Sequence, residues 1–127
     1  VKNKLHRNEK IMIDGAHATA DAKNLAAYLK SIKIPKYGVW AMSKKKQPDL
    51  FIKQLKGVFK KIVTMPIENE SNSVSANELY KVAVKNKFVS EKSKNFEEAL
   101  KKISSEEKKL IVCFGSLYNC GNILNKN

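Results

Sequence analysis

Arginine is almost missing from this sequence. Arg7 is the only one among 25 basic residues, set against 12 acidic residues, for a formal charge of +13. Arginine is the side chain that reads guanine edges and grips phosphates with paired hydrogen bonds. A chain this basic without it, its lysines spread along the length rather than gathered in one block, fits a solvated surface better than a sequence-reading nucleic-acid interface. Attraction for acidic ligands (nucleotides, carboxylates, nucleic acid) stays open. Long apolar runs are also absent. Nothing approaches the ~20 residues of a membrane span, and the opening VKNKLHRNEK lacks the apolar centre of a signal peptide. The expectation is a cytoplasmic protein.

Cysteine is scarce. Cys113 and Cys120 have no second pair and no nearby histidine, which is no zinc pattern. A disulfide is not expected in a cytoplasmic chain. Cys113, inside the run LIVCF, reads as a small buried hydrophobe. Missing too are the GxxxxGK[ST] and GxGxxG phosphate motifs, a Ser/His/Asp set with recognisable spacing, and a carboxylate cluster for a metal. No metal site is expected.

What remains is well patterned. At 127 residues and 43% apolar content the chain makes one domain, residues 1–127. Five short runs read as strands, at 10–14, 37–42, 61–67, 87–90 and 109–115. All but the fourth are continuously apolar, as when both faces of a strand are covered; the fourth reads as an edge strand or a loop. Helical faces lie between them: Ala18, Ala22, Leu25, Leu29 and Ile32; Phe51, Leu55 and Phe59 behind Pro48; Leu79, Val82 and Ala83 behind the capping box Ser75–Glu78; and Phe96, Ala99, Leu100 and Ile103. A last short helix is expected at about 117–124, and 68–73 reads as a loop. Strands alternating with helices predict an α/β fold: a Rossmann-like three-layer sandwich with a mostly parallel sheet of about five or six strands and helices on both faces.

In such a sheet, ligands bind beyond the carboxyl ends of the strands. Two strand ends carry unusual chemistry. In DGAH, Asp14 closes a strand, Gly15 permits a tight turn and His17 falls near the first helical turn; in GSLY, Gly115 leaves a strand and Ser116 follows. With both strands parallel, the two motifs open onto one edge and can share a ligand. Plainer readings stand beside this one: Asp14 as a helix cap, His17 as a structural histidine, Ser116 as the cap of the last helix, and SKKK at 43–46 as a solvated loop. Trp40 and Phe114, inside apolar runs, read as core.

At IMIDGAHATADAKNLAAYL and IVCFGSLYNCGNIL the chain resembles the C-terminal domain of the folylpolyglutamate synthase/dihydrofolate synthase family, within the Mur ligase superfamily. The element order and the interval between the motifs fit as well. The resemblance implies an enzyme that joins glutamate to a folate carboxylate at the expense of ATP, through an acyl phosphate. It implies ATP and Mg2+, the metal and the phosphate loop belonging to an N-terminal ATPase domain outside this chain. It assigns Asp14 to the ATP ribose, where a carboxylate meets two hydroxyl donors. It assigns His17 and Ser116 to the incoming glutamate, and Lys46 to a phosphate or glutamate contact. His17 is also placed to accept a proton from the glutamate ammonium as a catalytic group.

The chain departs from the family pattern. The Asn expected after the His is Ala18, a frequent Pro is Thr19, and Lys45 and Gln47 replace acids in the segment that keeps Lys46. The expected partners are ATP, glutamate, folate and the ATPase domain, with no membrane and no nucleic acid, and the isolated domain is expected to be inactive. The alternatives are a Mur-type cell-wall amino-acid ligase domain, a lysine-rich nucleic-acid-binding module on the same scaffold, and a relative kept for interaction rather than catalysis.

Overall fold

A computed structural model describes residues 9–14, 18–44, 46–67, 70–105 and 107–115. They form five strands and four helices that alternate along the chain: β1 (Glu9–Ile13), α1 (Thr19–Lys30), β2 (Lys36–Trp40), α2 (Pro48–Lys53), β3 (Lys61–Thr64), α3 (Ala76–Lys85), β4 (Ser90–Lys92), α4 (Phe96–Ile103) and β5 (Lys109–Phe114). The strands make one parallel sheet in the order β1-β5-β2-β3-β4. This is the expected α/β class, with five strands among the described residues.

Handedness explains the layers. Right-handed crossovers stepping from β1 to β2, β3 and β4 put α1, α2 and α3 on one face, and the return from β4 to β5 puts α4 on the other. The two core layers follow that division. Leu25 and Leu29 of α1, Phe51 and Ile52 of α2, and Leu79 and Ala83 of α3 close over Trp40, Ile62, Val112 and Phe114. Phe96, Ala99, Leu100 and Ile103 of α4 close over Val39, Val63, Ile111 and Cys113. β5 pairs on both sides and carries side chains into both layers, so its run LIVCF is apolar throughout.

An aromatic cluster fills the first layer. The Phe114 ring lies nearly parallel to those of Trp40, Phe51 and Phe59, with centroids 6.3, 6.0 and 5.2 Å away. Gly38 makes room for it: a Cβ there would stand 2.8 Å from Phe114 Cε1.

Local signals set most boundaries. Pro48 occupies the first turn of α2, and the Ser75 side chain accepts a hydrogen bond from Glu78 N, 3.1 Å, at the start of α3. Asn95 caps α4 in the same way, through Glu98 N at 2.9 Å. The fourth strand begins at Ser90 rather than at 87. The reason is the end of α3, where Phe88 N bonds to Ala83 O and Lys87 N to Val84 O, with Lys87 at φ 67°. That closure is a Schellman motif, and it occupies the chain through Phe88 before extension can begin. Ala18 is a second correction: it is exposed and lies just ahead of α1, and Ala26 joins Ala22, Leu25 and Leu29 on the buried face instead. The expected helix at 117–124 lies outside the described residues.

At the amino edge of the sheet the Tyr37 hydroxyl donates to Glu107 Oε1 at 2.7 Å, and Lys60 Nζ meets Glu107 Oε2 at 3.0 Å. Lys109, though buried, donates to Ile103 O at 2.7 Å and holds the last carbonyl of α4. Hydrogen bonds from Tyr37 and then Lys60 keep the Glu107 carboxyl below its ordinary value of 4.5. A carboxyl with a lowered pKa contributes stability above its unfolded value and loses it as pH falls through its folded value. Glu107→Gln should therefore flatten the loss of stability on acidification below about pH 4.5; an acid limb identical to the parent's, in unfolding followed against pH, would remove this contact from the account. In the core, Phe114→Ala should cost about 3–5 kcal/mol in denaturant unfolding, since four packed rings leave no way to collapse the hole.

Candidate functional site

Three strand ends are tied together at the carboxyl edge. The Asp14 N–H donates to Cys113 O at 2.9 Å, carrying the β1–β5 ladder one residue past β1, and Ala41 N approaches Phe114 O at 3.4 Å. Asp14, Gly115 and the segment after β2 therefore open on one edge. The outer two strands are two parallel spacings, about 10 Å, apart. That is the width of a small ligand rather than of a protein groove.

Gly115 is required at its position. Its φ is +112°, and a Cβ there would stand 2.0 Å from Ala41 O and 2.9 Å from Trp40 Cδ1. No other residue lets the chain leave β5 so close to the end of β2.

Asp14 is half-buried at the end of β1. The reading of Asp14 as a helix cap fails, because α1 begins at Thr19 and its cap position is Ala18. Ala18 has the extended backbone of a cap, φ −113° and ψ 156°, but no side-chain hydrogen bond to the helix. The family's Asn at this point thus falls on an N-cap, and its replacement removes a capping acceptor. Spacing from Asp14 could not place that cap, because residue type does not fix where the helix starts.

Ser43, Lys44 and Lys46 do not sit in the loose solvated loop that the lysines of 43–46 imply. Ser43 bridges Ser73 in antiparallel fashion, Lys44 N bonds to Asn72 O at 2.6 Å, and Val74 N bonds to Met42 O at 2.8 Å. Ser73 Oγ in turn accepts from Ile67 N at 2.7 Å. The segments after β2 and β3 are thus stitched together, 70–73 included. Lys46 is half-buried beside them, its N–H turned back to Ser43 O at 3.1 Å. His17 and Ser116 lie outside the described residues; in sequence Ser116 follows Gly115 and His17 stands three residues after Asp14. Among the described residues no three His, Cys, Asp or Glu side chains stand together as metal ligands, and no helix is long and apolar enough to cross a membrane.

One polar atom at this edge escaped the sequence reading. Trp40 is fully buried, as expected of core, but its Nε1 has no hydrogen-bond partner among the described residues. A buried donor left unpaired costs about 1–3 kcal/mol. Its neighbourhood in the chain, GVWAM, carries no sign of it.

Sheet order, helix layers and strand-end geometry define a doubly wound α/β domain whose candidate site lies at the carboxyl ends of β1, β5 and β2. The family model of the dihydrofolate synthetase C-terminal domain matches residues 1–126, and the chain belongs to that family. This is the folate branch rather than the cell-wall branch. No curated protein matches the sequence. The folylpolyglutamate synthase of Mycobacterium tuberculosis, complexed with ADP and AMPPCP, has the same fold over 91% of this chain and 29% of its own, with TM-score 0.81 and 20% identity. Escherichia coli FolC in complex with DHPP and ADP is similar over 96% of this chain and 29% of its own, with TM-score 0.82 and 15% identity. The bifunctional synthase of Yersinia pestis, with AMPPNP and a Mn ion, gives TM-score 0.79 at 18% identity over 91% and 28%. The chain thus spans under a third of the length of these structures.

Two stability measurements follow. Ala18→Asn should stabilise the domain by about 1 kcal/mol by supplying the missing cap; no gain would mean that the first turn of α1 is already satisfied. Gly115→Ala should cost more than about 2 kcal/mol through positive φ and the clash with Ala41 O together, whereas a neutral result would contradict the close approach of β5 to β2.

Proposed function

We propose that this chain is the C-terminal domain of an ATP-dependent ligase that adds glutamate to a folate or to its pteroate precursor. The observation that carries the reading is the shared edge formed by Asp14 and Gly115, the first residues of DGAH and GSLY. Membership of the family supports the reaction class. The nucleotides bound to the M. tuberculosis, E. coli and Y. pestis proteins support ATP as the co-substrate. A related bifunctional synthase holds Mn, AMPPNP and L-glutamate together, which supports glutamate as the amine.

In this reading the γ-phosphoryl group of ATP passes to the folate carboxylate, giving an acyl phosphate and ADP. The glutamate amine attacks that carbonyl, the amide bond forms and phosphate leaves. Asp14 accepts hydrogen bonds from the ATP ribose and orients the nucleotide. His17 and Ser116 hold the incoming glutamate, and neutral His17 takes the ammonium proton that must be lost before attack. Lys46 contributes positive charge to a phosphate or to the glutamate. In this reading the metal and the phosphate loop belong to an N-terminal ATPase domain. The enzyme works in the cytoplasm.

The 127 residues alone should not turn over ATP with glutamate and folate. Turnover without added protein would refute the division of labour. Joined to the ATPase domain, Asp14→Asn should raise the KM for ATP about tenfold while kcat changes little, the pattern of a lost binding contact. His17→Gln should move the acidic limb of the pH–rate profile, and an unchanged profile would exclude the proton-accepting role.

A further inference from the structure

We infer that Ser73 is a positioning residue for the ligand edge: its hydroxyl fixes the turn that carries Lys46. This rests on the reading of Lys46 as a phosphate or glutamate contact, and adds to it the loop after β3, which no sequence motif marks. Ser43 and Ser73 form a single antiparallel pair, flanked by Lys44 N to Asn72 O at 2.6 Å and Val74 N to Met42 O at 2.8 Å. One such pair is marginal alone, so 72–74 must be held from elsewhere. The Ser73 hydroxyl holds it. It accepts from Ile67 N at 2.7 Å and donates to Val74 O at 2.9 Å, using both capacities of the group at once.

Both ends of that link are anchored. Ile67 packs in the layer under α4, and Val74 in the layer under α1, α2 and α3. The hydroxyl therefore joins backbone fixed in the two opposite cores, and the turn after β2 is paired to it. Inside the turn, Lys46 N bonds to Ser43 O at 3.1 Å, so the lysine's backbone follows the position of Ser43. Lys46 is half-buried, and among the described residues its ammonium has no carboxylate or carbonyl partner. Lys36, Lys60 and Lys92, by contrast, each donate to an oxygen. A long flexible stem without a side-chain anchor reaches a ligand from wherever its backbone is placed. Ordering it on binding costs rotamer freedom, and a fixed backbone keeps that cost down. Ser73 touches no ligand in this arrangement; it acts through the turn.

Steady-state kinetics of the chain joined to its ATPase domain test this with Lys46→Gln, Ser73→Ala, Ser73→Thr and the Lys46→Gln, Ser73→Ala pair. Lys46→Gln should raise the KM for either ATP or glutamate about tenfold. Ser73→Ala should raise the KM of that same substrate about threefold, with kcat and the other KM nearly unchanged. The pair should lose no more than Lys46→Gln alone, because the hydroxyl reaches the ligand only through the lysine. Ser73→Thr keeps the hydroxyl and should return the parent KM. If Ser73→Ala is too unstable to assay, Ser73→Cys, a weaker donor and acceptor, takes its place in the same comparison. A Ser73 variant that melts earlier with both KM values unchanged reduces Ser73 to loop closure and overturns the inference, while Lys46 stands. Additive losses in the pair, or a threonine variant as impaired as the alanine one, overturn it as well. Lys46→Gln moving neither KM removes the assignment of Lys46 and the inference with it.

Discussion

β5 sits between β1 and β2, and the rest of the molecule depends on that insertion. A strand paired in parallel on both sides has its backbone groups satisfied within the sheet and both faces available for burial. Ile111, Val112, Cys113 and Phe114 use both faces fully. The same insertion forces the chain to return across the opposite side of the sheet, which is why α4 faces away from the other three helices. It also brings the two chemically unusual strand ends, at Asp14 and Gly115 with four helices between them along the sequence, to neighbouring positions. Without β5 between them, Asp14 and the end of β2 would be separate surfaces.

The carboxyl edge is built with more constraint than its loops suggest. Gly115 must be glycine, the segment after β2 is pinned to Asn72, Ser73 and Val74, and Trp40 is clamped among phenylalanine rings. The opposite edge is held by Tyr37, Glu107, Lys60 and Lys109 in purely structural contacts.

The architecture was legible because apolar periodicity and cap chemistry report the same elements independently. Continuous apolar runs marked the central strands, and Ser75 and Pro48 marked two helix starts. What failed did so for local reasons. The start of β4 was misplaced because a lysine, not a glycine, takes the left-handed position that closes α3. The alternative of Asp14 as a cap stayed open because the number of residues between β1 and α1 is not written in residue type. The lysines of 43–46 concealed a backbone stitched to a neighbouring loop, a contact between segments thirty residues apart. Family motifs supplied the chemistry that composition could not, but Trp40 belongs to no motif, and only the packing around it reveals the unpaired donor.

The central claim is that nucleotide and glutamate meet this domain where the ends of β1, β5 and β2 converge. Hydrogen–deuterium exchange on the chain joined to its ATPase domain, with and without ADP, magnesium and L-glutamate, tests it directly. The account predicts slowed exchange in peptides spanning Met12–Ala18, Ala41–Gln47 and Cys113–Ser116, and no change around Tyr37 or Glu107. Protection confined to the helical surfaces or to the amino edge, with those strand ends unaffected, would contradict it.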